Sequence, residues 1–191
     1  METVEYVFGY GSLVDPDDHL YLGRSIKPVY GSLEGFERHW RLAFDNLDPR
    51  RDRKHYLEQG NRYRGHISML GITPLRGACC NGLAIPVDRG LSTQIQEREG
   101  RLYSRSDDLR DRFTIPLDRP LVTYIPIPSG RDLYYRALDR ETLALPSSYV
   151  ETVERAFSSL GEGAFQEYLK TTQAPRAPLR QLDFFRQPGA L

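Results

Sequence analysis

Apolar residues recur at every second position in several stretches of the chain, and each alternation predicts a strand with one buried face. Val4, Tyr6 and Phe8 alternate with Glu5 and Val7 over 4–8. Over 29–44, Phe36, Arg38, Trp40, Leu42 and Phe44 hold one face in strict alternation. "CCNGLAIPV" (79–87) and "LVTYIPI" (121–127) read as two further strands. Between the second and third lies "DPRRDRKHYLEQGNRYRGH" (48–66), polar and charged, which predicts a functional or mobile loop with one helical turn.

Helical spacing appears over about 91–100 and again in "LPSSYVETVERAFSSL". There Ser148 and Glu151 have capping-box spacing, and Val150, Val153, Phe157 and Leu160 fall on one stripe. Gly161 and Gly163 break that helix, and a shorter one carries Phe165, Tyr168 and Leu169. From Gln173 the tail, with Pro175, Pro178 and Pro188, has no core pattern and is expected to pack along the surface or fray. Strands come first and the main helices late, which predicts an α+β fold, one domain over 1–172 with a C-terminal tail over 173–191.

Composition narrows the function. A chain of 191 residues, 39% hydrophobic, buries one core with at most a small appendage. Its 26 basic side chains balance 26 acidic ones, so no global field draws it to nucleic acid or a membrane. The first residues lack a basic segment followed by an apolar one, and no apolar run reaches the roughly 20 residues of a membrane helix. A cytoplasmic protein is expected. Cys79 and Cys80 are adjacent, so in a strand they face opposite ways and make poor disulfide partners. Two unpaired thiols in a reduced compartment are the expectation. Histidines 19, 39, 55 and 66 show no metal spacing, and no metal or other cofactor is expected.

The word "YGSL" occurs twice, in "VFGYGSLVDP" and in "KPVYGSLEGFERHW". In the first copy a strand runs into Gly9, Tyr10, Gly11, Ser12 and Leu13. Two glycines around one residue allow φ > 0 and a sharp turn that leaves peptide N–H groups pointing outward. In the second copy, Gly31 and Gly35 sit inside the long alternation, so it reads as passage through a strand with a bulge at a glycine. The first copy is the candidate ligand loop.

"RGLSTQIQEREGRLY" carries the candidate acid. At roughly 100° per residue, Leu91, Ile95 and Leu102 share a stripe, and Glu99 lies about 40° from Ile95, inside it. Glu97 and Arg98 project elsewhere. A carboxylate facing apolar surroundings has a raised pKa and suits general-base work near neutral pH. The alternative is that Gly100 ends the helix and Glu99 turns outward or pairs with an arginine.

"VFGYGSL" after an N-terminal strand, "LEGFERHWRLAF" as the next long strand, and "EREG" followed by a tyrosine occur in an order that resembles the γ-glutamylcyclotransferase superfamily. That superfamily includes a glutathione-specific branch and the AIG2-like proteins. The resemblance runs from about residue 5 to 125, and "PSSY" at 146–149 looks like a shortened Pro-Ser-x-x-Tyr of the family. It implies a small mixed β-barrel flanked by helices. It also implies cofactor-independent release of 5-oxoproline from a γ-glutamyl small molecule. By the same resemblance Glu99 is the catalytic acid/base. Gly9, Tyr10, Gly11, Ser12 and Leu13 form the substrate loop, and Tyr103 and Tyr149 stand where pocket tyrosines occur.

Two rival readings are open. One is a non-catalytic ligand-binding or regulatory protein on the same fold. The other is RNA binding by the arginines of 50–64 interleaved with Tyr56 and Tyr63, which the neutral net charge opposes. Arg50, Arg51, Arg53 and Lys54 could instead recruit an anionic leaving group, or form a solvated loop balanced by Asp48, Asp52 and Glu58. The leaving group and the oligomeric state are open.

Overall fold

The chain is organised around one very long strand. The computed structural model describes residues 2–17, 19–51 and 54–187. In chain order it forms β1 (Glu5–Gly9), β2 (Val29–Asp45), β3 (Lys54–Glu58), β4 (Asn61–Arg62) and β5 (His66–Val87). Then follow α1 (Arg89–Glu99), β6 (Tyr103–Ser106), β7 (Leu121–Pro126), α2 (Pro128–Asp139) and β8 (Leu143–Pro146). The last elements are α3 (Ser147–Ser159), α4 (Glu162–Thr171), β9 (Leu179–Arg180) and β10 (Asp183–Arg186). The result is the expected α+β architecture, a mixed sheet flanked by four helices.

β2 runs antiparallel along one edge of β5, from Val29 opposite Ala84 to Asp45 opposite His66. The other edge is shared. β1 takes its C-terminal end, with Gly9 opposite Leu83, and β8 takes its N-terminal end at His66 and Ile67. Among the described residues no strand pairs with that edge between these two ends, and the candidate site is built there. β7 lies parallel to β1, and β6 closes the series antiparallel to β7.

Phe36, Arg38, Trp40, Leu42 and Phe44 are all buried, but not on one face. A second register shift, between His39 and Leu42, turns Leu42 and Phe44 to the opposite side of the sheet from Phe36 and Arg38. The expected bulge is present, with a register shift between Glu34 and Phe36 and Gly35 at φ +80°. Val153 and Phe157 are buried and Val150 and Leu160 pack against the same core, as the stripe predicted. Gly161, at φ +106°, ends that helix.

Four more expectations are corrected. The strand read over 79–87 is only the end of β5, which starts at His66. The segment 48–66 keeps its one helical turn, at Pro49–Arg51, but then forms β3 and β4. The tail packs along the surface, as one of its two expected fates had it, but it does reach the core. The exposed β9 pairs with β8, β10 pairs with β3, and Leu182 is fully buried beside Phe44, Tyr56, Tyr63 and Ile67. Alternating Lys, Tyr and Glu in β3 gives no apolar stripe of its own; the short β4 takes one edge and the distant tail takes the other. The capping box does not form, because Pro146 is the N-cap and the Ser148 hydroxyl donates instead to the Leu182 carbonyl at 2.9 Å. α2 was not foreseen; Pro128 starts it, and Tyr134 and Ala137 bury its inner face. No described helix is long and apolar enough to cross a membrane.

Candidate active site

β1 delivers the chain to the vacant stretch of the β5 edge, and the loop that follows turns back at once into a short 3₁₀ turn, Ser12–Val14. The turn is closed by Val14 N–H to Gly11 O at 2.9 Å and Asp15 N–H to Ser12 O at 3.1 Å. Neither Gly9 nor Gly11 adopts positive φ, contrary to expectation; Gly11 lies at φ −140°, ψ −132°. Space is the reason for glycine. A Cβ on Gly9 would lie 2.9 Å from Ile85 Cδ1, and one on Gly11 would lie 3.3 Å from Leu70 Cδ2.

Three side chains pin the loop from outside it. Tyr21 donates its hydroxyl to the Leu13 carbonyl at 2.7 Å, Arg98 Nη2 donates to Ser12 Oγ at 2.8 Å, and Arg38 Nη1 donates to the Tyr10 carbonyl at 3.1 Å. Leu13 is buried in the core. No protein group among the described residues accepts the Gly11 N–H. The second "YGSL" is structural, as read: Tyr30 and Ser32 both donate to the Glu167 carboxylate at 2.7 Å, and Gly31 makes room for the Phe113 ring.

Asp88 caps α1 by accepting Leu91 N–H at 2.7 Å, and Leu91 and Ile95 are fully buried. Glu99 is the last residue of the helix before the Gly100 cap. Both readings of Glu99 hold in part. Its side chain is only 14% exposed, and it also pairs with an arginine, Arg98 Nε to Glu99 Oε1 at 3.2 Å. Arg98 therefore does not project elsewhere; it joins Glu99 to Ser12 of the loop.

Three phenols lie within reach of the carboxylate's charge. Burial pushes Tyr10, Tyr103 and Tyr149 above the ordinary phenol range, and the negative charge of Glu99 raises each further. All three therefore keep their protons. Tyr10 commits its proton to the Tyr124 carbonyl at 2.7 Å, and Tyr103 commits its own to the Leu70 carbonyl, on the vacant edge of β5, also at 2.7 Å. Tyr149, in the first turn of α3, packs edge-on against Trp40 with ring centroids 5.8 Å apart. Its hydroxyl has no hydrogen-bond partner among the described residues and lies 3.7 Å from where a Cβ on Gly11 would stand. The carboxylate thus acts on a phenol that keeps its proton beside Gly11, and Arg98 links that carboxylate to Ser12 of the same loop.

Gly9, Tyr10, Gly11, Ser12, Leu13, Glu99, Tyr103 and Tyr149 all belong to this region, with Tyr103 presenting its ring rather than its hydroxyl. Sequence reading missed Arg98 and Arg38. The signal for Arg38 was available: an arginine on the inward face between Phe36 and Trp40. The charged segment borders the region, since Arg101, two residues past Glu99, donates to the Arg50 carbonyl at 2.9 Å. Arg50 itself is paired with Asp48. Asp52, Arg53 and the Arg51 side chain lie outside the described residues. Tyr56 and Tyr63 are buried, so the aromatic platform on which the RNA-binding reading rested is not at the surface. No cluster of three or more metal-ligating side chains occurs among the described residues.

No family model matches this chain, and no curated protein matches it. Several solved structures are similar in overall arrangement. One is named gamma-glutamyl cyclotransferase, at 10% identity and TM-score 0.45, covering 92% of this chain and 93% of that one. A second, a human protein described as uncharacterized, is 16% identical over 73% of this chain and 80% of that one, with TM-score 0.40. A third, from Arabidopsis thaliana, is 19% identical over 84% and 95%, with TM-score 0.42.

Proposed function

We propose that this chain is a cofactor-independent γ-glutamylcyclotransferase-type enzyme that releases 5-oxoproline from a γ-glutamyl amine, amino acid or peptide in the cytoplasm. The observation that carries the reading is the placement of Glu99: a mostly buried carboxylate beside a tight glycine loop and an unpartnered phenol. The motif resemblance supports the same reading independently of that geometry.

The chemistry needs four things, and each has a candidate here. The substrate's α-ammonium gives a proton to the Glu99 carboxylate, which frees the nitrogen lone pair. That nitrogen attacks the γ-carbonyl carbon and closes a five-membered ring. The electron pair displaced onto the carbonyl oxygen is met by donors already in place, the Gly11 N–H and the Tyr149 hydroxyl. On collapse the C–N bond to the leaving amine breaks as Glu99 returns its proton to that amine. The ring nitrogen, left with two protons by the attack, gives one to the freed carboxylate, which passes it on, so that the products are the lactam and a protonated amine. Attack within one molecule supplies much of the rate, since well-oriented intramolecular reactions reach effective molarities of roughly 10⁵–10⁸ M. Arg98, tied to both Glu99 and Ser12, holds acid and loop in register.

The test is 5-oxoproline release from a panel of γ-glutamyl compounds that differ in the leaving amine: free amino acids, glutathione, polyamine conjugates and the ε-lysyl isopeptide. Release from at least one supports the reading and names the leaving group. A panel without release, together with a wild-type protein that binds 5-oxoproline, supports the binding-protein reading instead.

A further inference from the structure

Among the described residues Arg38 is the largest fully buried side chain, and it is a cation with no carboxylate of those residues within ion-pair distance. Its five N–H bonds go elsewhere. Nε donates to Thr172 Oγ1 at 2.8 Å, Nη2 to Thr171 Oγ1 at 3.0 Å and to Asn81 Oδ1 at 2.5 Å. Nη1 donates to the carbonyls of Asn81 at 2.8 Å and of Tyr10 at 3.1 Å. The guanidinium carbon lies 4.7 Å from the ring centroids of both Phe157 and Tyr168. Burying a charge without a counter-ion is expensive, and a well-packed apolar side chain at such a site is often at least as stable. Phe36 and Trp40, the buried neighbours two positions either side, show what a merely structural position here takes.

The difference between Arg38 and these neighbours is its contact with the loop. In a planar trans peptide the C=O and the following N–H point in opposite directions. Arg38 takes the Tyr10 carbonyl on the side of Asn81 and the end of α4, so the Gly11 N–H of the same peptide is turned the other way. Leu70 and the Tyr149 hydroxyl stand next to Gly11, 3.3 Å and 3.7 Å from where a Cβ would be. Asn81 braces the guanidinium in turn, donating Nδ2 to the Ala164 carbonyl at 2.8 Å and to Tyr30 Oη at 3.1 Å.

We infer that Arg38 is a positioning residue for the reaction: from behind the loop it locks the Tyr10–Gly11 peptide so that the Gly11 N–H faces the carbonyl oxygen of the substrate. This rests on the cyclotransferase reading. Arg38 never touches substrate, and its cost in burial is met by the carbonyls, hydroxyls and ring faces around it. A lysine reaches the same space as a point charge without the fork that joins Tyr10, Asn81 and the two threonines.

Two measurements test it. In ¹⁵N-labelled wild-type protein, saturating 5-oxoproline should shift the Gly11 amide proton downfield, because the lactam carbonyl accepts from it. With the best substrate of the panel, Arg38→Lys should lose about 10²–10³-fold in kcat, the size of removing one oxyanion donor. Its KM should stay within a few-fold and its pH profile should keep its shape, since Glu99 is untouched. A folded Arg38→Lys protein with wild-type kcat overturns the inference while leaving the reaction intact. So does a wild-type Gly11 amide that ignores 5-oxoproline while signals near Glu99 move, a result that stands even if Arg38 variants do not fold. Absence of both 5-oxoproline release and 5-oxoproline binding in the wild type overturns the underlying reading, and this inference with it.

Discussion

The Tyr149 hydroxyl lies 3.7 Å from the point a Cβ on Gly11 would occupy, and it donates to no protein group among the described residues. A phenol kept protonated by burial and left unpaired is an available donor. Tyr149→Phe should therefore leave thermal stability unchanged and lower kcat by about 10²-fold, toward the range seen when one oxyanion donor is removed. Turnover assays beside a melting curve check both halves.

Tyr103→Phe should behave in the opposite way. Its hydroxyl satisfies the Leu70 carbonyl on the vacant edge of β5, and deletion leaves a buried acceptor unmet. The expected loss is about 1–3 kcal/mol of unfolding free energy. Urea titration reads this directly, and turnover per folded molecule should change far less than in Tyr149→Phe.

The two adjacent thiols should differ sharply in reactivity. Cys79 is exposed, while Cys80 is fully buried and burial pushes its pKa up to about 12, with the Arg38 guanidinium opposing. Thiolate is the reactive form. Iodoacetamide at pH 8 should modify Cys79 alone in the native protein and both residues in denaturant, as peptide mass mapping would show.

His39 should make the fold acid-sensitive. Its Nδ1 accepts the Arg41 N–H at 3.1 Å, so the neutral ring carries its proton on Nε2, toward Thr73 Oγ1 at 3.2 Å. Burial, followed by the charges of Arg41 and Arg131, lowers its pKa from 6.5 to about 3. Between those values the unfolded chain binds the proton and the folded chain does not, so stability falls as pH falls through the window. The slope is about 1.4 kcal/mol per pH unit. Between pH 7 and pH 5 the wild type should lose about 2 kcal/mol more unfolding free energy than His39→Gln. Equal losses would show that His39 is not the cause.

Local pattern carried much of this protein. The period-2 runs placed β1, β2 and β7, the bulge at Gly35 followed from a glycine inside an alternation, and the α1 stripe set Glu99 at a mostly buried angle. Contacts between distant segments were beyond it. β3 has no apolar stripe to announce it and one of its two partners, β10, lies more than a hundred residues away, and Ser148 was taken from its capping box by the Leu182 carbonyl. The loop 9–13 was found for a reason only half right, since its glycines provide close approach rather than positive φ. Arg38 stood in plain view on the apolar face of β2. Its meaning depends on Thr171, Thr172 and Asn81, which no local window brings together.

Glu99 is the centre of the account, and Glu99→Gln tests it most directly. The substitution keeps shape and removes the proton-accepting carboxylate. Wild-type and Glu99→Gln proteins, both shown folded by circular dichroism, are compared for 5-oxoproline release from the best substrate of the panel. The account predicts that release falls by about 10³-fold or more, in the upper range for loss of a general acid/base. A folded Glu99→Gln protein that releases 5-oxoproline within a few-fold of the wild-type rate would contradict it.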